Sequence, residues 1–145
     1  MKYSLRPAAQ SDIEFLLNLR DITMGKYLKE CGLPTTYDAY LSRVLYEFAH
    51  AQIIEVDGTA IGLFKAKFDH AHNEWHLVQI QIQPSYQNNK IASTLIAQII
   101  DKANSTNSSI QLSVLKTNPA QHLYAKLGFV QVGESEAEYF MQYKS

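Results

Sequence analysis

A polar loop, PSYQNNKIAS at residues 84–93, joins a strand-like segment to a helix-like one. Backbone N–H groups at the start of a helix lack intrahelical partners, and the helix dipole adds a positive end there. The loop is therefore a candidate anion site, and Lys90 would add a full charge. Phosphate loops usually carry glycines and this one has none, so an ordinary strand-to-helix turn is the alternative interpretation.

A second segment, SVLKTNPAQHLYAKLGF at residues 113–129, has the sequence signals of a strand followed by a short helix. Asn118 is the predicted N-cap, Pro119 the first helical residue and Gly128 the residue just past the helix. Asn118 therefore lies where the strand ends, and Tyr124 lies on the helix.

Hydrophobic periodicity and turn residues predict the element order β-α-α-β-β-β-α-β-α-β-β. Asp57-Gly58 indicates a hairpin, and residues 75–115 form a strand–helix–strand unit long enough for a parallel crossover. These signals predict an α/β fold of the α+β type, with a mixed, mostly antiparallel sheet flanked by helices. Ser11 with Glu14 is predicted to cap the first helix, and the third is predicted over residues 90–103.

The order and spacing of these segments resemble the GCN5-related N-acetyltransferase (GNAT) superfamily over nearly the whole chain. The family's first motif, Q/R-x-x-G-x-G/A, stands here as residues 87–92, QNNKIA, and the second as Asn118 with LYAKLGF. Lys90 stands where the family usually has glycine. A residue in the first turn of a helix needs no positive φ, so we expect ordinary backbone geometry at Lys90.

The resemblance implies one GNAT domain over residues 1–145, which moves an acetyl group from acetyl-CoA to a primary amine by direct attack. It implies acetyl-CoA as co-substrate and no metal. The residues expected to bind acetyl-CoA are Ile80, Ile82, Gln87, Asn88, Asn89, Lys90, Ala92, Ser93, Asn118 and Tyr124.

Two side chains are implied as catalytic. Tyr124 matches the family tyrosine that protonates the leaving thiolate, and its alternative is a tyrosine of the core. His76 stands where histone-acetylating members have a glutamate base. Alternatively, His76 only fills a strand position, or an ordered water takes the place of a side-chain base. A backbone N–H near Ile82 is expected to polarise the thioester carbonyl.

The resemblance places the acceptor pocket on the first two helices, their connection and the last hairpin, and we expect Met24, Tyr27 and Tyr37 to contact the substrate. Aromatic walls with carboxylates suit a small cationic amine or a peptide N-terminus. Such residues are common on any helix face, so the acceptor is not identified. Another acyl-CoA donor and a non-catalytic module that binds CoA or a protein remain alternatives.

Composition excludes several other classes of function. The net charge of −1 and the pI near 6.5 give no basic surface for nucleic acid or an anionic membrane. One cysteine, Cys31, forms no internal disulfide, and no signal peptide is recognised, so we expect a cytoplasmic protein. His70, His72 and His76 lack further ligands for a metal. A homodimer remains an open alternative.

Overall fold

The computed structural model describes residues 2–145. Its strands and helices follow the predicted order, so the predicted fold class is confirmed. The elements are β1 (Ser4–Pro7), α1 (Ile13–Glu30), α2 (Tyr37–Leu45), β2 (Ala51–Val56), β3 (Thr59–Asp69), β4 (Glu74–Ile82), α3 (Ile91–Thr106), β5 (Ser109–Leu115), α4 (Ala120–Lys126), β6 (Val130–Glu134) and β7 (Glu138–Lys144).

The seven strands form one sheet in the order β1-β2-β3-β4-β5-β7-β6. β4 and β5 pair in parallel, with α3 as the crossover between them, as the strand–helix–strand pattern predicts. The β1–β2, β2–β3, β5–β7 and β6–β7 pairs are antiparallel. The sheet is therefore mixed and mostly antiparallel.

Two compact units divide the chain, and β3 and β4 each pass from one unit to the other. The first unit holds the chain up to Lys65 together with residues 79–92, and the second holds residues 66–78 and 93–145. The single domain over residues 1–145 stays a prediction. Among residues 2–145, no helix is both long and apolar enough to cross a membrane.

In the first unit, α1, β2 and β3 contribute fully buried side chains. Leu16 and Leu19 of α1, Ile53 of β2 and Ile61 of β3 are all at most 1% exposed. The apolar residues of α1 recur at helical spacing, whereas β2 buries four of its six residues and β3 buries the unbroken run from Ile61 to Lys65, as strands covered on both faces do.

The start of α1 differs from the prediction. The residue directly before the helix is Asp12 and not Ser11, and its Oδ2 accepts the N–H of Ala9, in the turn that precedes α1, at 2.7 Å. Arg6 holds that carboxylate through two hydrogen bonds of 2.8 and 2.9 Å, and its guanidinium keeps the pKa of Asp12 below the usual range. Ser11 is exposed. The cap was mispredicted because its position depends on Arg6, which comes from β1.

α2 ends at Leu45, although its apolar pattern continues to Phe48. The buried Lys65 explains this end, since its Nζ donates to the carbonyls of Arg43, Val44 and Tyr46 at 3.2, 3.1 and 2.5 Å. A lysine that holds the last carbonyls of a helix takes the place of the next helical turn.

In the second unit, α3 and β5 both contribute fully buried side chains. Leu95, Ile96 and Ala103 of α3 and Ile110 of β5 are at most 1% exposed, in the helical and alternating patterns that the sequence predicts. The prediction for α3, residues 90–103, is wrong at its start by one residue and at its end by three, because the observed helix is Ile91–Thr106.

Candidate functional site

The loop between β4 and α3 is tied to the end of β4. Tyr86 N–H donates to Gln83 O at 2.8 Å, and the side-chain amide of Gln87 donates to Ile82 O at 2.9 Å. Asn89 Nδ2 donates to Tyr86 O at 3.3 Å. The side chains of Gln87 and Asn89 therefore shape the loop, and the backbone of its last residues leads directly into α3.

Lys90 lies directly before α3 and not in its first turn. Its φ is 61°, in the left-handed region, so the expectation of ordinary backbone geometry at Lys90 is wrong. A residue with a Cβ pays about 1–2 kcal/mol for this conformation, whereas glycine adopts it freely. Asn88 is also left-handed, with φ of 69°, but asparagine tolerates that region better.

The start of α3 has the properties of an anion site. The first N–H groups of this 16-residue helix, from Ile91 through Ser93, have no intrahelical acceptors, and the dipole makes this end positive. Lys90 is exposed beside them, as are Gln87, Asn88 and Asn89. Ala92 and Ser93 are half-buried.

β4 is close to β3 before it reaches the loop. Gln83 N–H donates to Ile61 O at 2.8 Å, and a Cβ on Gly62 would lie 2.6 Å from the carbonyl oxygen of Gln81. Glycine is therefore required at position 62. Ile80 is half-buried and Ile82 is 7% exposed, on the stretch expected to bind acetyl-CoA.

In the second unit, Asn118 lies two residues before α4, and Pro119 between them already has helical backbone angles. Asn118 Oδ1 accepts the N–H of Ala120 at 2.9 Å, which is the hydrogen bond of an N-cap. At the other end, Gly128 has φ of 104°, and Phe129 N–H donates to Tyr124 O at 3.0 Å, so the predicted glycine ending is confirmed. These two ends fix the position of Tyr124 on α4.

Tyr124 is 8% exposed, and its ring centroid lies 5.9 Å from that of Phe129. Burial raises the pKa of the Tyr124 phenol to about 12, because the phenolate would lose its solvation. The phenol is thus protonated at neutral pH and can donate a hydrogen bond or a proton. The same burial fits a tyrosine of the core.

His76 lies near the start of β4, opposite Gln111 of β5. Its Nε2 is 3.2 Å from Glu74 Oε1, and the His76 side chain is 43% exposed. Glu74 also accepts from Ser109 Oγ at 3.1 Å.

The predicted acceptor residues lie on helices of the first unit. Met24 and Tyr27 are half-buried on α1, and Tyr37 is 60% exposed at the start of α2. Between these helices, Tyr40 Oη donates to Asp21 Oδ1 at 2.7 Å. α1 and α2 are therefore held together beside the residues proposed for the acceptor.

The remaining candidates have other roles. His72 Nδ1 lies 2.8 Å from Asp69 Oδ2, and His70 packs edge-on against Phe68. Among residues 2–145, no group of three or more histidine, cysteine or acidic residues could hold a metal ion. Glu55, a weaker candidate for the base on the strand β2, pairs with Arg6 at 2.8 Å.

One buried polar residue went unnoticed in the sequence. Gln79 of β4 is 7% exposed, and its side-chain N and O atoms have no hydrogen-bond partner within the described residues 2–145. Alternation in WHLVQIQIQ places the glutamines on one face, but the sequence holds no signal that this face is buried.

Comparison with known proteins agrees with the resemblance. The model of the Acetyltransferase (GNAT) family matches residues 14–129. Comparison with curated protein sequences gave no significant match.

Solved structures show the same fold. The PaiA N-acetyltransferase of Thermoplasma acidophilum, in complex with coenzyme A, is 18% identical with a TM-score of 0.75, over 100% of both chains. A chimeric spermidine N-acetyltransferase from Vibrio cholerae is 24% identical with a TM-score of 0.69, over 99% of this chain and 96% of that one. N-acetylglutamate synthase from Neisseria gonorrhoeae, complexed with coenzyme A and N-acetyl-glutamate, is 20% identical with a TM-score of 0.69, over 99% of this chain and 35% of that one.

These structures are under 25% identical to the chain and therefore show its fold alone. The family model covers most of the sequence, including both quoted motifs. The chain belongs to the GNAT acetyltransferase family.

Proposed function

We propose that this protein is an acetyl-CoA-dependent N-acetyltransferase that acts on a primary amine of a small molecule or peptide. The combination of two features in a GNAT chain carries the proposal. Residues 87–90 lead into a helix start suited to anions, and the family tyrosine, Tyr124, is buried and protonated. The coenzyme A bound in the Thermoplasma acidophilum and Neisseria gonorrhoeae structures supports the same co-substrate here.

The loop residues fit a pyrophosphate. We propose that the amides of residues 88–93 donate to its oxygens and that Gln87 keeps the loop attached to Ile82, as its 2.9 Å hydrogen bond indicates. Lys90 adds positive charge, and its strained backbone weakens the site without abolishing it. Asn118 is proposed to contact pantetheine, as the family's second motif implies.

Acetyl-CoA supplies an activated thioester, and the protein must supply a neutral amine and a protonated leaving group. Deprotonating a lysine-like amine with a pKa of about 10.4 costs about 4.6 kcal/mol at pH 7. His76 is proposed to take that proton, directly or through water, while its Nε2 lies 3.2 Å from Glu74 Oε1. A backbone N–H near Ile82 is proposed to polarise the thioester carbonyl.

Tyr124 is proposed to protonate the leaving sulfur. A thiol has a pKa of about 8.5, so a phenol with a pKa of about 12 is the weaker acid. We therefore expect Tyr124 to donate a hydrogen bond to the sulfur while negative charge develops there and to release its proton only as the carbon–sulfur bond breaks.

A second function is a non-catalytic module that binds CoA, which the strained lysine in place of the motif glycine favours. The test is CoA release from acetyl-CoA with a panel of amines, comparing the natural chain with Tyr124→Phe. Tyr143→Phe is the matched control, because Tyr143 also contacts Phe129, at 5.8 Å between centroids, and its hydroxyl donates to Asn104.

We expect Tyr124→Phe to lower turnover by about 100-fold or more, with CoA affinity nearly unchanged, and Tyr143→Phe to keep the natural rate. Tight CoA binding without turnover of any amine would support the module instead.

A further inference from the structure

Gln79 has a buried side chain with two unsatisfied polar atoms. It is 7% exposed, and neither Nε2 nor Oε1 has a hydrogen-bond partner within residues 2–145. Buried amides nearly always have partners, because burial removes the hydrogen bonds that water provides. An unsatisfied donor and an unsatisfied acceptor on one side chain indicate a place where a partner from outside the chain binds.

Gln79 lies in the first unit, near a buried cation. Gln83 N–H donates to Ile61 O at 2.8 Å, and β3 and β4 are neighbours in the sheet, joined by the turn at residues 70–73. Lys65, in β3, lies four residues after Ile61, and Gln79, in β4, lies four residues before Gln83. The two strands therefore bring Lys65 and Gln79 to the same stretch of the sheet. Lys65 is fully buried.

The charge around Lys65 is mainly positive. Burial, and then the charges of Arg43 and Arg20, lower the pKa of Lys65 to about 8, while Glu47 acts in the opposite direction. Arg20 is itself only 9% exposed. A positive field of this kind attracts a carbonyl or carboxylate oxygen and repels a second ammonium group.

Gln79 also directly precedes the strand residues proposed to contact the thioester. Ile80 and Ile82 follow it in β4, and the residues proposed for the acceptor on α1 and α2 belong to the same compact unit. The side-chain amide offers one acceptor atom and one donor atom on a single carbon. A ligand that matches it has an N–H donor and an oxygen acceptor close together.

We propose that Gln79 binds the acceptor of acetyl transfer and selects amines with a carbonyl group on the adjacent carbon. Its Oε1 accepts an N–H of the amine, and its Nε2 donates to the carbonyl or carboxylate oxygen. The preferred class is therefore α-amino acids, their amides and peptide N-termini. A polyamine has no such oxygen and adds positive charge. This inference rests on the proposed function.

The test compares acceptors that differ in the carbonyl group: alaninamide, alanine, isopropylamine and 1,4-diaminobutane. kcat/KM is measured for each with the natural chain, Gln79→Leu and, as control, Gln111→Leu at an exposed position of β5. We expect Gln79→Leu to lower kcat/KM about 10-fold to 100-fold for alaninamide and alanine, and less than about 2-fold for isopropylamine. The KM for acetyl-CoA is expected to stay unchanged in Gln79→Leu. The control, Gln111→Leu, is expected to keep the natural kcat/KM for every acceptor.

The midpoint of urea unfolding provides a readout besides activity. Because leucine removes two unsatisfied atoms, Gln79→Leu is expected to unfold at the natural midpoint or above it. A lower midpoint together with an equal loss for every acceptor would overturn the proposal and indicate a structural glutamine.

Calorimetry of alaninamide binding to the CoA-bound protein separates this inference from the proposed function. If no amine is acetylated but alaninamide binds the natural chain and not Gln79→Leu, the transferase proposal fails and the role of Gln79 stands. Equal binding to both proteins, or binding to neither, would overturn the role of Gln79.

Discussion

Lys90 holds a left-handed backbone conformation, with φ of 61°, directly before α3. This explains physically why a glycine suits that position of the motif. The motif itself could be recognised from the sequence, because its flanking segments and spacing are intact. The φ of Lys90 could not be predicted from the sequence, because it depends on how the loop joins β4 to the helix.

Lys90→Gly and Lys90→Ala separate backbone strain from charge. Both remove the ammonium group, but only glycine relieves the strain, so we expect Lys90→Gly to be about 1 kcal/mol more stable than Lys90→Ala in urea unfolding. Calorimetry with CoA should give affinities within about 10-fold of the natural chain for both. A far tighter complex with Lys90→Gly would show that the natural loop is impaired.

Tyr124 makes a prediction about alkaline pH. Its pKa is raised to about 12 in the folded protein, so its stabilising contribution is complete below the unfolded value of about 10 and is lost as pH rises to 12. The free energy of unfolding should fall less steeply over this range in Tyr124→Phe. An unchanged slope would contradict the burial of the phenol. Tyr40, whose pKa is also raised to about 12, supplies the remaining slope.

At the scale of elements, the sequence predicts the order of the helices and strands, but it does not predict where every helix begins and ends. Periodicity and turn residues identify each helix and strand, because they report which faces are buried. Local signals failed at two helix ends, where a side chain from a distant strand contacts the residues at the end of the helix. Asp12 is held by Arg6 at the start of α1, and Lys65 binds the carbonyls at the end of α2.

Asp12→Asn tests the start of α1. It weakens the acceptor for Ala9 N–H and the pairing with Arg6, so we expect a loss of about 1–2 kcal/mol in the free energy of unfolding at pH 7. The contribution of Asp12 is present above pH of about 4 and is lost as pH falls through its lowered pKa. Ser11→Ala is the matched control and should unfold like the natural chain. A larger effect at Ser11 would restore the predicted cap.

For Lys65 we predict a change of the opposite sign in the free energy of unfolding as pH rises. Its pKa of about 8 lies below the unfolded value of 10.5, so between these pH values the unfolded chain binds more protons than the folded one. The free energy of unfolding should therefore rise from pH 8 towards 10.5. Denaturant titrations of Lys65→Met should lack this rise. A rise of the same size in Lys65→Met would assign it to another group.

At the scale of the whole molecule, the sequence predicts the family and the fold, but it does not identify the acceptor. Both family motifs lie within the matched residues 14–129, and their order specifies the fold. Acceptor recognition is proposed to depend on Gln79, whose burial the sequence does not indicate, and aromatic residues such as Tyr37 occur on many helix faces. The chemistry of the donor is therefore argued from the family, and that of the acceptor from the structure.

The most direct test of acetyl transfer is mass spectrometry of a reaction containing acetyl-CoA and alaninamide, with free CoA and acetylated amine quantified together. The proposed function predicts that both appear in equal amounts and that both fall together in Tyr124→Phe. CoA without acetylated amine, or neither product despite tight CoA binding, would contradict it.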